Sequence, residues 1–165
     1  MNSPRFRVEW LDGSLDRSGF DCGTPALDHY FHAQVTQDIK RRVATCFVAR
    51  GEAGELAGYY TLSAASVMLT QLPAAQARKL PRYPSIPAVR MGRLAIDRRF
   101  KGAGLGAAML FDALDRAARA EIAAYAMVVD AKDESAAAFY RHHGFLAFQD
   151  QPLTLYLPLA TVRAV

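Results

Sequence analysis

The spacing of apolar residues changes along the chain, and each change marks an element. Phe6, Val8 and Trp10 alternate with polar neighbours, the two-residue repeat of a half-buried strand over residues 5–10. Residues 12–23 are polar and glycine-rich, a loop. Thr24 is a candidate N-cap with Pro25 at the first helical position, and Leu27, Phe31, Val35 and Ile39 recur at every fourth residue. This predicts an amphipathic helix over residues 25–42. A short strand is expected at 45–49, a hairpin turn at 51–54 and a longer strand at 56–68, with Gly58 marking a bulge.

The second half continues the alternation. A short helix is expected at 73–80. Three prolines within residues 81–87 fix φ and remove donors, which predicts a stiff extended loop there and excludes a central strand. A strand at 89–96, a glycine-rich turn at 102–106 and a helix at 105–120 follow. Met109, Leu110, Ala113, Leu114 and Ala117 lie on one side of that helix. A buried strand at 125–131, a short helix at 135–142 and a closing strand pair at 145–148 and 153–157 complete the series. Strands with interspersed helices, and no repeat, low-complexity tract or linker, predict a single α/β domain over residues 1–165.

Composition narrows the class. A chain of 165 residues, 52% hydrophobic and 22% charged, can bury a real core and is not intrinsically disordered. No apolar run approaches the roughly 20 residues of a membrane helix. Residues 1–5 lead into no signal-peptide core, and Cys22 and Cys46 are too few for a disulfide framework. The expectation is a reduced, cytoplasmic protein without a membrane partner. Net charge is +4, unevenly spread: residues 78–101 hold eight bases against the single acid Asp97, while the remainder is −3. Such a band attracts phosphate-rich partners, either a small polyphosphate or a nucleic acid.

The run Arg93-Leu94-Ala95-Ile96-Asp97-Arg98-Arg99-Phe100-Lys101-Gly102-Ala103-Gly104-Leu105-Gly106 reads as strand, turn and helix start. Alternate glycines let the backbone approach a ligand, and the first amides of the helix are without acceptors, so an anion is favoured there. The chain has no Gly-Lys pair, which excludes a Walker A loop. Too few residues follow Gly106 for a full dinucleotide-binding sheet. Twenty-seven residues beyond Gly106 begins a second run, Asp133-Glu134-Ser135-Ala136-Ala137-Ala138-Phe139-Tyr140-Arg141-His142-His143-Gly144-Phe145.

These two runs, in this order, resemble the acyl-CoA motif and the later Phe-Tyr element of the GNAT acetyltransferases. Phe20-Asp21-Cys22-Gly23, Leu27-Asp28, Gln37-Asp38, residues 58–63, Pro81-Arg82-Tyr83-Pro84 and residues 92–97 are further similar to the GNAT-fold toxins of bacterial toxin–antitoxin modules. The resemblance implies a mixed, mostly antiparallel central sheet flanked by helices. It implies acetyl-CoA as co-substrate, no metal, the α-amino group of aminoacyl-tRNA as acceptor and a ribbon-helix-helix antitoxin as partner. A homodimer is left open. The coenzyme-binding residues implied are Leu94, Ala95, Ile96, Arg99, Lys101, Gly102, Ala103, Gly104, Leu105, Gly106 and Asp133, with Tyr140 as general acid. Lys101 departs from the family's Gln or Arg, replacing a planar donor with a point charge. Asp133 stands where many members carry Asn.

Chemistry fits these residue types. A phenol can protonate a departing thiolate. An α-amino group, with a pKa near 7.7–8.0, is partly neutral at physiological pH, so a dedicated base is optional. Arg78, Lys79, Arg82, Arg90 and Arg93 are assigned to nucleic acid, with Arg93 preferred over Arg90 for the acceptor phosphate. Tyr83 either stacks on a base or packs, and Asp97 is expected to fix an arginine or the turn. His29, His32, His142 and His143 form no metal-ligand spacing with the cysteines. Two other readings stay open: acetylation of a protein N-terminus, lysine or small amine, and a non-catalytic module that binds acyl-CoA or a partner. The basic band disfavours a cationic amine, and Tyr140 disfavours the non-catalytic module.

Overall fold

The computed structural model describes residues 5–162. Residues 1–4 and 163–165, on which the expected start and end of the domain fall, lie outside the described residues. The chain divides into two compact units: Met1–Ser63 with Gly92–Ala113, and Ala64–Met91 with Leu114–Val165. Among the described residues there are seven strands, mixed in direction and mostly antiparallel. No helix among the described residues is long and apolar enough to cross a membrane.

In the first unit, β1 (Arg7–Trp10), β2 (Thr45–Arg50), the first half of β3 (Leu56–Met68) and the second half of β4 (Ser85–Ile96) lie side by side in that order. β1 pairs antiparallel with β2, and β2 with β3 across the tight turn expected at 51–54. The bulge falls one residue from its expected place. Ala49 pairs with Gly58 and Arg50 with Leu56, so Ala57 is the extra residue. Gly58 itself answers a different constraint. A Cβ there would lie 2.7 Å from Met109 Sδ, 2.9 Å from Ile96 Cδ1 and 3.0 Å from the Ala95 carbonyl. The glycine is what lets the helix after the turn settle onto the strand.

The expected helix at 25–42 is three pieces: α1 (Pro25–His29), a π-helical turn (Tyr30–Gln34) and α2 (Val35–Lys40). The apolar spacing explains the break. A strict four-residue repeat overshoots a 3.6-residue turn by about 40° per step. One wider π turn takes back that drift and keeps Phe31 and Val35 in the core. Thr24 makes no side-chain cap; instead Asp28 Oδ1 accepts from the Cys22 amide at 2.9 Å. Phe20, Cys22, Tyr30, Phe31, Val35, Cys46, Val48, Leu56, Tyr59 and Ala95 form the core of this unit, with Phe31 and Tyr59 stacked at 4.3 Å.

In the second unit the first half of β4 runs parallel to β5 (Ala126–Asp130), paired from Ala88–Ala126 to Met91–Val129. β7 (Gln151–Pro158) lies antiparallel between β5 and β6 (Leu146–Phe148). The short helix α3 (Ala74–Ala77) and the helix α5 (Glu134–His142) belong here, and α4 (Leu105–Arg119) contributes its C-terminal turn. Val67, Leu72, Ala88, Ala126, Val128, Phe148 and Tyr156 make the core. The proline-rich stretch corrects the sequence reading. Ser85, Ile86 and Pro87 are strand, because Pro87 sits just before the ladder with β5 opens at Ala88, where no amide is needed. Its carbonyl still accepts from the Tyr125 amide at 2.8 Å.

Gly58→Ala is expected to destabilise the protein by about 1–3 kcal/mol, because Met109, Ile96 and the Ala95 carbonyl all crowd the added methyl. A urea midpoint equal to that of the wild type would overturn this account of Gly58.

Candidate active site

β4 ends at Ile96, and the chain turns through Asp97 into a single 3-10 turn at Arg98–Phe100. Asp97 is 2% exposed and both carboxylate oxygens are used. Oδ1 accepts from the Arg99 amide at 2.9 Å and from Arg99 Nε at 3.0 Å; Oδ2 accepts from the Asp21 amide at 3.0 Å. Burial pushes the carboxyl up, but the Arg99 and Asp21 donors outweigh it and hold the group below its ordinary 3.8. The loop at 20–23 braces the turn from outside. The Arg98 amide donates to the Asp21 carbonyl at 2.8 Å, Arg98 Nε pairs with Asp21 Oδ1 at 3.3 Å, and Lys101 Nζ donates to the Cys22 carbonyl at 2.6 Å.

Gly102 and Gly104 follow with φ of +84° and +80°. A Cβ at either would meet nothing within 4 Å, so conformation demands the glycines and their outer side is open. α4 starts at Leu105, and the Ala108 amide donates to the Gly104 carbonyl at 3.1 Å. The amides of Leu105, Gly106 and Ala107 precede that bond and have no helical acceptor. At the positive end of a fifteen-residue helix they suit a phosphate.

In the second unit, Asp133 caps α5: its Oδ1 accepts from the Ala136 amide at 2.8 Å. Gly144, at φ +97°, ends the helix, and the His143 and Phe145 amides close onto the Tyr140 carbonyl at 3.0 and 3.1 Å. Tyr140 is 8% exposed, between the rings of Phe139 and Phe145. Burial, and then the Asp130 carboxylate, push its hydroxyl up to about 12. Among the described residues that hydroxyl has no hydrogen-bond partner. Burial and then the neighbouring His142 lower the pKa of His143.

The residues expected from sequence are distributed as follows. Leu94, Ala95, Ile96, Arg99, Lys101, Gly102, Ala103, Gly104, Leu105 and Gly106 form one continuous segment of the first unit, whereas Asp133 and Tyr140 lie on or beside α5 in the second. Arg99 and Lys101 are engaged by Asp97 and the Cys22 carbonyl. Arg90 pairs with Asp130, which also accepts from Thr154 Oγ1 at 3.1 Å. Arg93 lies over the Tyr30 ring, 3.5 Å from its centroid. Arg78, Lys79 and Arg82 are exposed, and Tyr83 is 62% exposed and so is not a packed aromatic. The described residues contain no cluster of three or more metal-ligating side chains. Sequence reasoning missed the Tyr30–Arg93 stack, since Tyr30 reads as an ordinary helix position. It also missed the brace at 20–23, although the Asp-Cys-Gly run there was a signal.

A turn with open glycines and free amides, set between a strand and a helix, defines an α/β protein built to hold a phosphate-bearing ligand. The family model of the acetyltransferase (GNAT) family matches residues 9–145, and the chain belongs to that family. It is similar to the tRNA-acetylating toxin of Mycobacterium tuberculosis, 33% identical over 91% of this chain and 90% of the toxin. Among solved structures it is similar to AtaT complexed with acetyl-methionyl-tRNAfMet, at a TM-score of 0.89 and 27% identity, covering 96% and 97% of the two chains. It is also similar to a tyrosine-to-phenylalanine mutant of the AtaT toxin bound to the C-terminus of the antitoxin AtaR and acetyl-CoA. There the TM-score is 0.79 and the identity 25%, over 96% of each chain.

Asp97→Asn tests the brace. Because the folded-state pKa of Asp97 is lowered, its stabilisation is present above the ordinary value of 3.8 and is lost as pH falls through the folded value. At pH 7 the variant should lose about 1–3 kcal/mol. Below pH 3.8 the wild type and variant should converge. A gap in urea midpoint that stayed constant from pH 7 to pH 3 would contradict the assignment.

Proposed function

We propose that this chain is an acetyl-CoA-dependent N-acetyltransferase of the α-amino group of aminoacyl-tRNA, a cytoplasmic toxin that blocks translation and is held by an antitoxin. One observation carries the reading: the open turn at Gly102 and Gly104, backed by the acceptor-free amides of Leu105, Gly106 and Ala107. That site fits a diphosphate, since nothing occupies the space a Cβ would take and the donors are backbone groups. The tRNA-acetylating relative and the acetyl-methionyl-tRNA complex of AtaT support the acceptor, and the AtaR complex supports the antitoxin.

When bound, acetyl-CoA supplies the activated acetyl thioester. The chain's own residues do the rest. The turn amides hold the diphosphate, and the backbone of Leu94, Ala95 and Ile96 lines the pantetheine arm and stabilises charge on the thioester carbonyl oxygen. Tyr140 donates a proton to the departing sulfur as the nitrogen–carbon bond forms and the carbon–sulfur bond breaks, the new amide nitrogen releases its extra proton to water, and the phenolate takes a proton back from water before the next turnover. With its pKa pushed up to about 12, it holds that proton at neutral pH and is a donor, never a base. The acceptor must therefore arrive neutral, which an α-amino group near pH 8 does in large part. Asp133, engaged as the cap of α5, serves by fixing the helix that carries Tyr140.

Of the basic band, only part remains to meet nucleic acid. Arg90, Arg98, Arg99 and Lys101 are engaged within the fold. Arg78, Lys79, Arg82 and Arg93 have no carboxylate partner among the described residues. These are the cations assigned to the tRNA backbone.

With labelled acetyl-CoA and a total pool of charged tRNA, the label should appear on charged tRNA and not on deacylated tRNA; label found only on protein would overturn the reading. Tyr140→Phe should lower kcat by about a hundredfold or more. The wild-type rate should rise with pH up to the α-amino pKa, which the electron-withdrawing ester lowers below about 7.7–8.0, and then stay flat to pH 10, since Tyr140 keeps its proton there. An alkaline fall centred below pH 10 would remove Tyr140 as the acid. Four free cations predict a slope of log affinity for tRNA against log salt of about −3 to −4. A slope near −7 would mean that the internal ion pairs open on binding.

A further inference from the structure

Arg93 differs from the other arginines of its strand and turn. Arg90, Arg98 and Arg99 pair with Asp130, Asp21 and Asp97, whereas Arg93 has no carboxylate or hydrogen-bond partner among the described residues. Its guanidinium carbon instead lies over an aromatic face, 3.5 Å from the Tyr30 centroid. Tyr30 is 3% exposed and opens the π-helical turn. Its hydroxyl donates to Asp38 Oδ2 at 2.8 Å, a bond that reaches eight residues ahead and pins the ring against α2. Donation to a carboxylate leaves the phenol oxygen richer in electrons, and so the ring face, which strengthens its hold on a cation.

A guanidinium held by its face keeps its N–H rim free for acceptors in its own plane. The stack fixes Arg93 without neutralising it, which a carboxylate would have done. We propose that Tyr30 and Asp38 are positioning residues that hold the Arg93 guanidinium for a phosphate oxygen of the nucleic-acid acceptor. The inference rests on the aminoacyl-tRNA reading above. The coenzyme diphosphate has its own donors in the turn beyond the far end of β4, and Arg93 lies about 10 Å back along the strand from Ile96. The phosphate assigned to Arg93 is therefore the acceptor's.

The test is a double-mutant cycle read by steady-state kinetics with charged tRNA and by calorimetry with acetyl-CoA. Tyr30→Phe keeps the ring and loses the link to Asp38; Asp38→Asn keeps the shape and loses the charge. Each should raise the KM for aminoacyl-tRNA about three- to tenfold while the Kd for acetyl-CoA stays put. In an Arg93→Gln background neither should raise KM further, because both act through the guanidinium. A merely structural role would add its full effect in that background and overturn the inference. A shift in acetyl-CoA affinity instead of tRNA KM would overturn it too, assigning Arg93 to the coenzyme. A wild type that leaves charged tRNA unlabelled defeats the parent reading and this one together. A wild type that labels it, with variants indistinguishable from it, defeats this one alone.

Discussion

The first unit depends on one buried carboxylate. Asp97 sits where β4 must stop, and the chain must then reverse and deliver a helix whose first amides face outward. A buried charge of this kind is costly unless every oxygen is satisfied. Here the donors come from both sides: the Arg99 amide and side chain from the turn itself, and the Asp21 amide from a loop 76 residues earlier in the chain. The same residue's amide donates to the Ala57 carbonyl at 2.8 Å, tying the turn to β3. One residue thus joins three separate segments through its side chain and its amide, and the glycines after it can be loose because what precedes them is not.

That division between rigid and open shows in the glycines. Gly58 exists because three neighbours fill the space its side chain would need. Gly102 and Gly104 have nothing around them and are needed only for their backbone angles. A crowded glycine and an open one look alike in the sequence, yet they answer opposite constraints: close packing of α4 on β3 in the first case, an open left-handed backbone turn in the second.

Legibility followed the range of the interactions. β3 and α5 were readable because local alternation, capping and a terminal glycine act over a few residues. The glycine turn was readable for the same reason. The π turn at Tyr30–Gln34 was hidden, because an every-fourth-residue repeat reads as plain helix until the accumulated drift is counted. The strand at Ser85–Pro87 was hidden because a proline forbids a paired amide, and only the register shows that none is required there. The partners of Arg90 and Arg93, and the Asp21 amide that donates to Asp97, lie 40 or more residues away in the chain and left no local pattern, whereas Arg99, two residues on, is an arginine of the kind Asp97 was expected to fix.

Charge counting in the sequence therefore overstated the positive surface. The band at 78–101 carries a nominal +7, but its distribution matters more than its sum. Bases at the turn are engaged by Asp21, Asp97 and the Cys22 carbonyl, where they shape the backbone; those at the Pro81–Pro84 loop are exposed to solvent. Arg93 is a third kind, immobilised yet still charged, because an aromatic face holds a guanidinium without cancelling it. Under the proposed function, which asks for a rigidly held coenzyme and a reversibly engaged polyanion, each kind has a use. Paired cations supply geometry, exposed ones supply salt-sensitive attraction, and a stacked one combines a fixed position with a free charge.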